Sequence, residues 1–387
     1  MLSPLRGALA LPLQALTWLG NQGTRAIAAL VLFGIALPPL GDLLRPYVTE
    51  AIFLLLCISF MRVDISALRA HLRRPALVLM ATGWTTIAVP ALVGLSAHFA
   101  AADTHTPDLF LALMLQAMAS PMMASPALAA LMGLDATLVL ITLVTSTALV
   151  PLTAPLFASI FLRQILTLSP LALGLKLAGI LAGALVVAVI IRLVAGIEVI
   201  RRHRAPIDGL NVLILYVFVA AVMGHVLADV MADPLHMLAL VALAFAMFFL
   251  LLGLTILLFR TRGYDRAMAL GLMVSQRNMG LMLAATEGAL PGTTWLYFAM
   301  SQFPIYLAPQ LLQPLANRLR AGAPALEPPA EPGRGKQDRE IDHGHDGVDF
   351  ERPVGVGIDQ GRVVDEIRHG DHRHQRGVLS WVTDWLT

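Results

Sequence analysis

The sequence predicts an all-α integral membrane protein, with about ten transmembrane helices in two inverted five-helix repeats and one broken helix in each repeat. Three observations predict it. Hydrophobic residues make up 57% of the 387 residues and charged residues only 13%, against a charged fraction of about 25% in ordinary soluble domains. Apolar runs of about 20 residues, the length needed to cross a hydrocarbon core of about 30 Å, recur along the chain. Two of these runs, at corresponding places in the two halves, are interrupted by proline, glycine and polar side chains.

The runs fall near 26–41, 47–63, 75–100, 108–132, 136–162, 168–194, 209–231, 235–259, 265–289 and 294–317. They lack the alternating polar face of outer-membrane strands, which excludes a barrel. Cys57 is the single cysteine, so neither an intramolecular disulfide nor a thiolate metal cluster is available.

Short cytoplasmic loops collect arginine and lysine, and translocated ones do not. Arg6 and Arg25 precede the first run, and Arg62, Arg69, Arg73 and Arg74 follow the second. Arg192, Arg201, Arg202 and Arg204 follow the sixth, Arg260, Arg262 and Arg266 the eighth, and Arg318 and Arg320 the tenth. All these clusters fall on one side of an alternating path, which places both termini in the cytoplasm. The connection between the fourth and fifth runs contributes only Asp135.

Residues 1–25 read as an interfacial segment carrying Trp18, because "GNQGTRA" offers no small-residue cleavage site. Residues 26–320 form the membrane domain. From "AGAPALEPPAEPGRGKQDRE" onward the composition turns polar and rich in Pro and Gly, so 321–387 reads as a disordered tail. Its histidines, His343 and His345 among them, have no scaffold to hold a metal.

The fourth run contains "MASPMMASPALAALMG", where Pro121 and Pro126 follow Ser120 and Ser125. Each proline removes a backbone donor and clashes with the preceding turn, so the pair unwinds the helix. The ninth run contains "MVSQRNMGLML", with Ser275, Gln276, Arg277, Asn278 and Gly280 at a similar depth. Each break sits in the fourth helix of a five-helix half, and an odd number of spans per half inverts the second half. Broken helices in an inverted repeat aim helix ends and free carbonyls into a protein-lined cavity near the midplane.

These features resemble the bile acid:sodium symporter family and its bacterial relatives. The resemblance is carried by the ten runs, the Ser/Pro break in the fourth, the proline-containing "TSTALVPLTAP" of the fifth and "QRNMGL" in the ninth, over residues 26–320. It implies a panel of helices 1, 2, 6 and 7 and a core of helices 3–5 and 8–10, whose fourth and ninth helices cross where they unwind. It also implies carriage of a small organic anion across the bacterial inner membrane, such as a bile-acid-like molecule, a steroid sulfate or a small carboxylate. Relatives usually couple this to sodium.

Carried over by position, Asn278 and Gly280 take the family's Asn and Gly places, while Arg277 stands for a Gln and Met273 for the sodium-binding Glu. The family's Ser-Asn pair falls near Ser125 and Pro126. Its sodium-ligating hydroxyls fall near Val139 and Leu143, with Thr142, Thr145 and Ser146 close by, and Thr85 stands near a ligating Gln. The candidate substrate- and ion-binding residues are thus Thr85, Ser120, Ser125, Thr142, Thr145, Ser146, Ser275, Gln276, Arg277 and Asn278.

Sodium needs several oxygen ligands, and a fixed cation at about 5 Å from it costs several kcal/mol at an effective dielectric near 20. Sodium is therefore a doubtful cofactor, and no other cofactor is implied. Two readings of Arg277 stay open: a permanent substitute for the sodium charge, or a tether hydrogen-bonded to the carbonyls freed by the break. Lys176 reads as a snorkelling side chain.

Other classes find little support. The runs contain no HExxH, no Ser/His dyad and no intramembrane Asp pair, and "GRGK" at 333–336 lacks Walker A spacing, so the chain is not read as an enzyme or a primary pump. A net charge of +2, carried in membrane-flanking loops, points to the lipid bilayer and not to nucleic acid. The chain could be a monomer or a homodimer. The alternative function is a membrane sensor of the same fold that binds without accumulating substrate.

Overall fold

The computed structural model describes residues 12–19, 38–62, 75–163, 165–224, 226–286 and 290–321. Among them the architecture is helical, and the only β pairing is an isolated bridge between Pro121 and Arg277. Among the described residues six helices are long and apolar enough to cross a membrane: Pro39–Arg62, Ala76–Phe99, Ala136–Phe161, Pro170–Ala195, Arg204–Ala232 and Pro234–Arg262. The chain thus has the character of an all-α membrane protein.

In chain order the helices are α1 (12–19), α2 (Pro38–Leu44), α3 (Val48–Arg62), α4 (Pro75–Gly83), α5 (Val89–Phe99), α6 (Ala102–His105), α7 (Pro107–Met118), α8 (Ser125–Leu131) and α9 (Ala136–Phe161). There follow α10 (Pro170–Ala195), α11 (Ile197–Arg202), α12 (Arg204–Met223), α13 (Val226–Ala232), α14 (Pro234–Phe259), α15 (Tyr264–Ser275), α16 (Met279–Ala285) and α17 (Gly292–Ala321).

Local chemistry explains where the long helices begin. Asp135, Ser169 and Asp233 sit at the N-caps of α9, α10 and α14 and accept from Leu138 N at 3.0 Å, Ala172 N at 3.3 Å and His236 N at 3.0 Å. Side-chain caps of this kind satisfy amides that have no intrahelical acceptor. Pro107, Pro170 and Pro234 occupy first-turn positions, where the missing N–H breaks no bond.

The runs expected at 26–41 and 47–63 are not separated where they meet. Arg45–Tyr47 forms a single 3₁₀ turn, with Leu44 and Val48 in right-handed helical conformation on either side, so α2 and α3 are continuous. Pro46 is tolerated because it lies at the start of that turn. Gly41 is fixed by packing: a Cβ there would lie 2.6 Å from Gly224 Cα, so α2 meets the end of α12 backbone to backbone. Most of the expected first run, 26–41, lies outside the described residues, as does the tail beyond Ala321.

Of the expected interfacial segment 1–25, residues 12–19 are helical. Trp18 is 63% exposed. The Leu16 carbonyl comes so close to Gly209 that a Cβ there would sit 1.8 Å from it.

Helix packing surrounds the two interrupted elements. α14 lies along α15 and α17, α9 packs on α4 and α8, and α3 packs on α10, α12 and α16. α10 fits against the prolines of α9, where a Cβ on Gly174 would lie 2.7 Å from Pro155 Cγ and 2.9 Å from the Pro151 carbonyl oxygen. Its other face leaves Leu171, Leu175 and Val186 exposed, a surface suited to lipid.

Several charged side chains between the helices are paired. Arg62 and Arg204 both pair with Asp208, and Arg192 donates to the Met61 carbonyl at 3.4 Å. Asp135, the sole charge of its connection, lies 3.7 Å from Arg266. At the other helix ends, Arg45 stacks over the Trp295 ring at 4.6 Å and Thr294 Oγ1 donates to the Asp108 carbonyl at 2.7 Å.

Candidate functional site

Both interrupted runs are broken at the expected residues. Residues 119–124 separate α7 from α8, and Gln276–Asn278 separates α15 from α16. The breaks meet as a two-bond antiparallel bridge: Asn278 N donates to the Ser120 carbonyl at 2.7 Å, and Met122 N donates to the Gln276 carbonyl at 2.9 Å. Backbone groups freed by each interruption thus satisfy the other. Buried unpaired amides and carbonyls cost about 1–3 kcal/mol each, so mutual pairing makes two broken helices tolerable in an apolar interior.

Side chains extend the crossing. Ser125 Oγ donates to Gln276 Oε1 at 3.1 Å, and Gln276 Nε2 reaches the Ile305 carbonyl of α17 at 3.5 Å. Tyr297 on α17 donates its hydroxyl to Gln116 Oε1 of α7 at 2.5 Å. Both breaks are thereby tied to α17.

Arg277 is 1% exposed and heads the largest fully buried side chains. Its Nη1 donates to the Ala119 carbonyl at 3.0 Å and the Thr85 carbonyl at 3.2 Å. Ala119 is the C-cap of α7, where the helix dipole is negative and a cation is favoured. Thr85 lies in the π turn Trp84–Ala88, a local disruption of the regular ladder that π bulges bring to functional sites. Trp84 anchors that turn by donating to Thr255 Oγ1 of α14 at 2.9 Å.

Arginine carries five N–H donors. Nη1 uses its two on carbonyls, while Nε and Nη2, with the remaining three, have no partner among the described residues. The carboxylate pairs of the described residues do not involve Arg277. A buried guanidinium with neither counterion nor full hydrogen bonding is expensive. The place expected for a sodium-binding acid, Met273, is an apolar side chain with 0% exposure on α15.

The remaining candidates divide in two. Thr85 Oγ1 donates to the Ala81 carbonyl at 2.7 Å, Thr145 Oγ1 donates to the Ile141 carbonyl at 2.7 Å and lies 3.0 Å from Thr82 Oγ1, and Ser275 Oγ donates to the Leu272 carbonyl at 3.0 Å. Those hydroxyls are engaged within the fold. Ser120, Thr142 and Ser146 are buried with unpartnered hydroxyls. Asn278 is half-buried, and its neighbours across the bridge, Met122, Met123 and Ala124, are half-buried too.

Sequence reasoning missed Thr147, also buried with an unpartnered hydroxyl, and the Gln116–Tyr297 pair. Gln116 was visible as a lone amide within an apolar run four residues before Ser120. The carbonyl of Ala119 carried no signal, because every residue type has one.

Among the described residues no group of three His, Cys, Asp or Glu side chains is placed to hold a metal ion. Compared with known proteins, the chain matches no protein-family model and no curated relative.

Proposed function

We propose that the chain is a secondary active transporter of small organic anions, working by alternating access in a bacterial inner membrane with both termini cytoplasmic. The observation that carries this reading is Arg277: a buried guanidinium, without a carboxylate partner, at the crossing of two broken helices. Intramembrane charges at such breaks mark substrate and ion pathways. In this reading the guanidinium, at the place of a Gln in the family that the sequence resembles, replaces the charge that sodium brings there, so it supplies a permanent positive charge and coupling to sodium is not required.

The division into a panel and a core is part of the same proposal, and contacts support it. Hydrogen bonds link helices that would form the core: Thr82 with Thr145, Trp84 with Thr255, Arg277 with Thr85, Tyr297 with Gln116. Arg62 with Asp208 and Arg192 with Met61 stay within the panel. An inverted repeat of ten helices completes the reading.

Uptake into vesicles reconstituted with the purified chain tests it. A transporter concentrates a labelled organic anion inside, and replacing sodium by choline leaves most of the rate. Saturable binding with no accumulation would instead make the chain a sensor.

A further inference from the structure

We infer that the free edge of Arg277 is a carboxylate-binding fork, so that the transported anion is held by a direct bidentate contact to Nε and Nη2. This rests on the anion-transport reading above and adds which atoms make the contact and which headgroup they select.

The geometry of the side chain leads there. Two carbonyls, from Ala119 at 3.0 Å and Thr85 at 3.2 Å, hold Nη1. With one corner of a planar group pinned by elements from two different helices, the plane of the guanidinium is fixed. The donors left over, Nε–H and Nη2–H, are not a random remainder. They lie parallel along one edge of the plane, the edge that meets the two oxygens of a carboxylate side-on. Both atoms are buried and unpartnered. A tether that only served the broken backbone would aim its donors at carbonyls, as Nη1 does, and would gain nothing from burying three N–H groups unused.

The surroundings favour a carboxylate over a bulkier oxyanion. Arg277 is 1% exposed and Met273, one turn before it in the chain, is 0% exposed, so the fork lies away from the surface. A flat headgroup lying in the guanidinium plane needs the least opening. Ser120, buried with an unpartnered hydroxyl and joined through its carbonyl to Asn278 N, adds a donor at the same crossing. Next to the fork the burial is incomplete: Asn278 is half-buried, its side-chain amide has no partner among the described residues, and Met122, Met123 and Ala124 beside it are half-buried. The fork is thus buried while Asn278, the residue after it, is half-buried, and in this proposal a shift of the crossing exposes the fork.

The test uses the full chain purified in detergent and its melting temperature with matched probes: benzoate against benzamide, and hexanoate against hexanamide and hexanesulfonate, over concentrations that bracket their affinities. Carboxylates are expected to raise the melting temperature while the neutral amides leave it unchanged and the sulfonate binds more weakly. These arms need no variant. Arg277→Lys keeps the charge but loses the fork, and weakens carboxylate binding by about tenfold or more. Equal stabilisation by acid and amide, equal binding of hexanoate and hexanesulfonate, absence of any carboxylate effect, or an Arg277→Lys affinity within about twofold of the unmodified chain would each overturn the fork. Vesicle uptake separates this from failure of the transport reading. Accumulation unaltered by Arg277→Lys leaves transport standing without the fork, whereas carboxylate binding that follows Arg277 without accumulation leaves the fork standing in a sensor.

Discussion

The amide of Asn278 donates to the carbonyl of Ser120 at 2.7 Å, across 158 positions of sequence, and the amide of Met122 returns a bond to Gln276 at 2.9 Å. Two helix interruptions that would each be costly alone are thereby joined into one element. The same junction fixes the side chain between its two bonds, because Arg277 is the residue bridged to Pro121.

Met122→Pro should destabilise the chain by about 1–3 kcal/mol, because it deletes the amide that satisfies the Gln276 carbonyl inside the protein. Met122→Leu, which keeps the amide, should unfold close to the unmodified chain. Thermal unfolding in detergent measures both, and equal midpoints for the two variants would mean that the bridge contributes nothing.

Where the helices break was legible in the sequence, since proline at 121 and 126 and the polar run Ser275–Asn278 act locally on any helix that contains them. What each break pairs with was not, because the partner is set by three-dimensional crossing. The π turn at Trp84–Ala88 was equally silent: "WTTIA" has no proline or glycine, and the turn is held by contacts from α14 and from Arg277. The gap between the runs at 26–41 and 47–63 is helical for the opposite reason: Gly41 is required by close packing on Gly224 and Pro46 sits where a new turn starts.

Gly41→Ala should therefore be strongly unfavourable. The new Cβ would be placed 2.6 Å from Gly224 Cα, and backbone on both sides must move, at a cost of about 1–3 kcal/mol. Gly253→Ala, on the exposed face of α14 with nothing within 4 Å of its added Cβ, should be neutral or slightly stabilising through helix propensity. Comparable losses in both variants would remove packing as the explanation.

Tyr297→Phe leaves the Gln116 amide oxygen buried and unpaired, which should lower stability by about 1–3 kcal/mol. Changing Gln116→Leu as well removes the orphan, so the double variant should recover part of that loss and show a coupling energy of about 1 kcal/mol in a mutant cycle. Additive effects would mean that the two side chains do not share a bond.

Arg45 and Trp295 link the ends of α2 and α17, and Trp295 Nε1 donates to the Val222 carbonyl of α12 at 3.3 Å. In the proposed division these contacts join panel to core at one end, while Arg62–Asp208 at the opposite end stays within the panel. Arg45→Gln should loosen that end by about 0.5–1 kcal/mol. Trp295→Phe should cost more, since it keeps a ring but orphans the Val222 carbonyl. Faster uptake with reduced thermal stability in both variants is expected if the contact closes the site. Unchanged uptake with lost stability would reduce it to packing.

Arg277 and Met273 together should decide the cation requirement. Arg277→Gln restores the neutral side chain of the resembling family but is two bonds shorter than the arginine and removes the charge, so anion binding should fall by about 2–4 kcal/mol. Met273→Glu together with Arg277→Gln returns an acid to a position that is fully buried on α15. A buried carboxylate without the guanidinium needs a cation beside it, so transport by the double variant should reappear only when sodium is present. Uptake measured in sodium and in choline, for the unmodified chain and both variants, gives six rates that must fit one scheme. The unmodified chain should be indifferent to the cation, the single variant inactive in both, and the double variant active in sodium alone. A strict sodium requirement in the unmodified chain, with normal affinity in Arg277→Gln, would leave Arg277 as a tether for the carbonyls of Thr85 and Ala119.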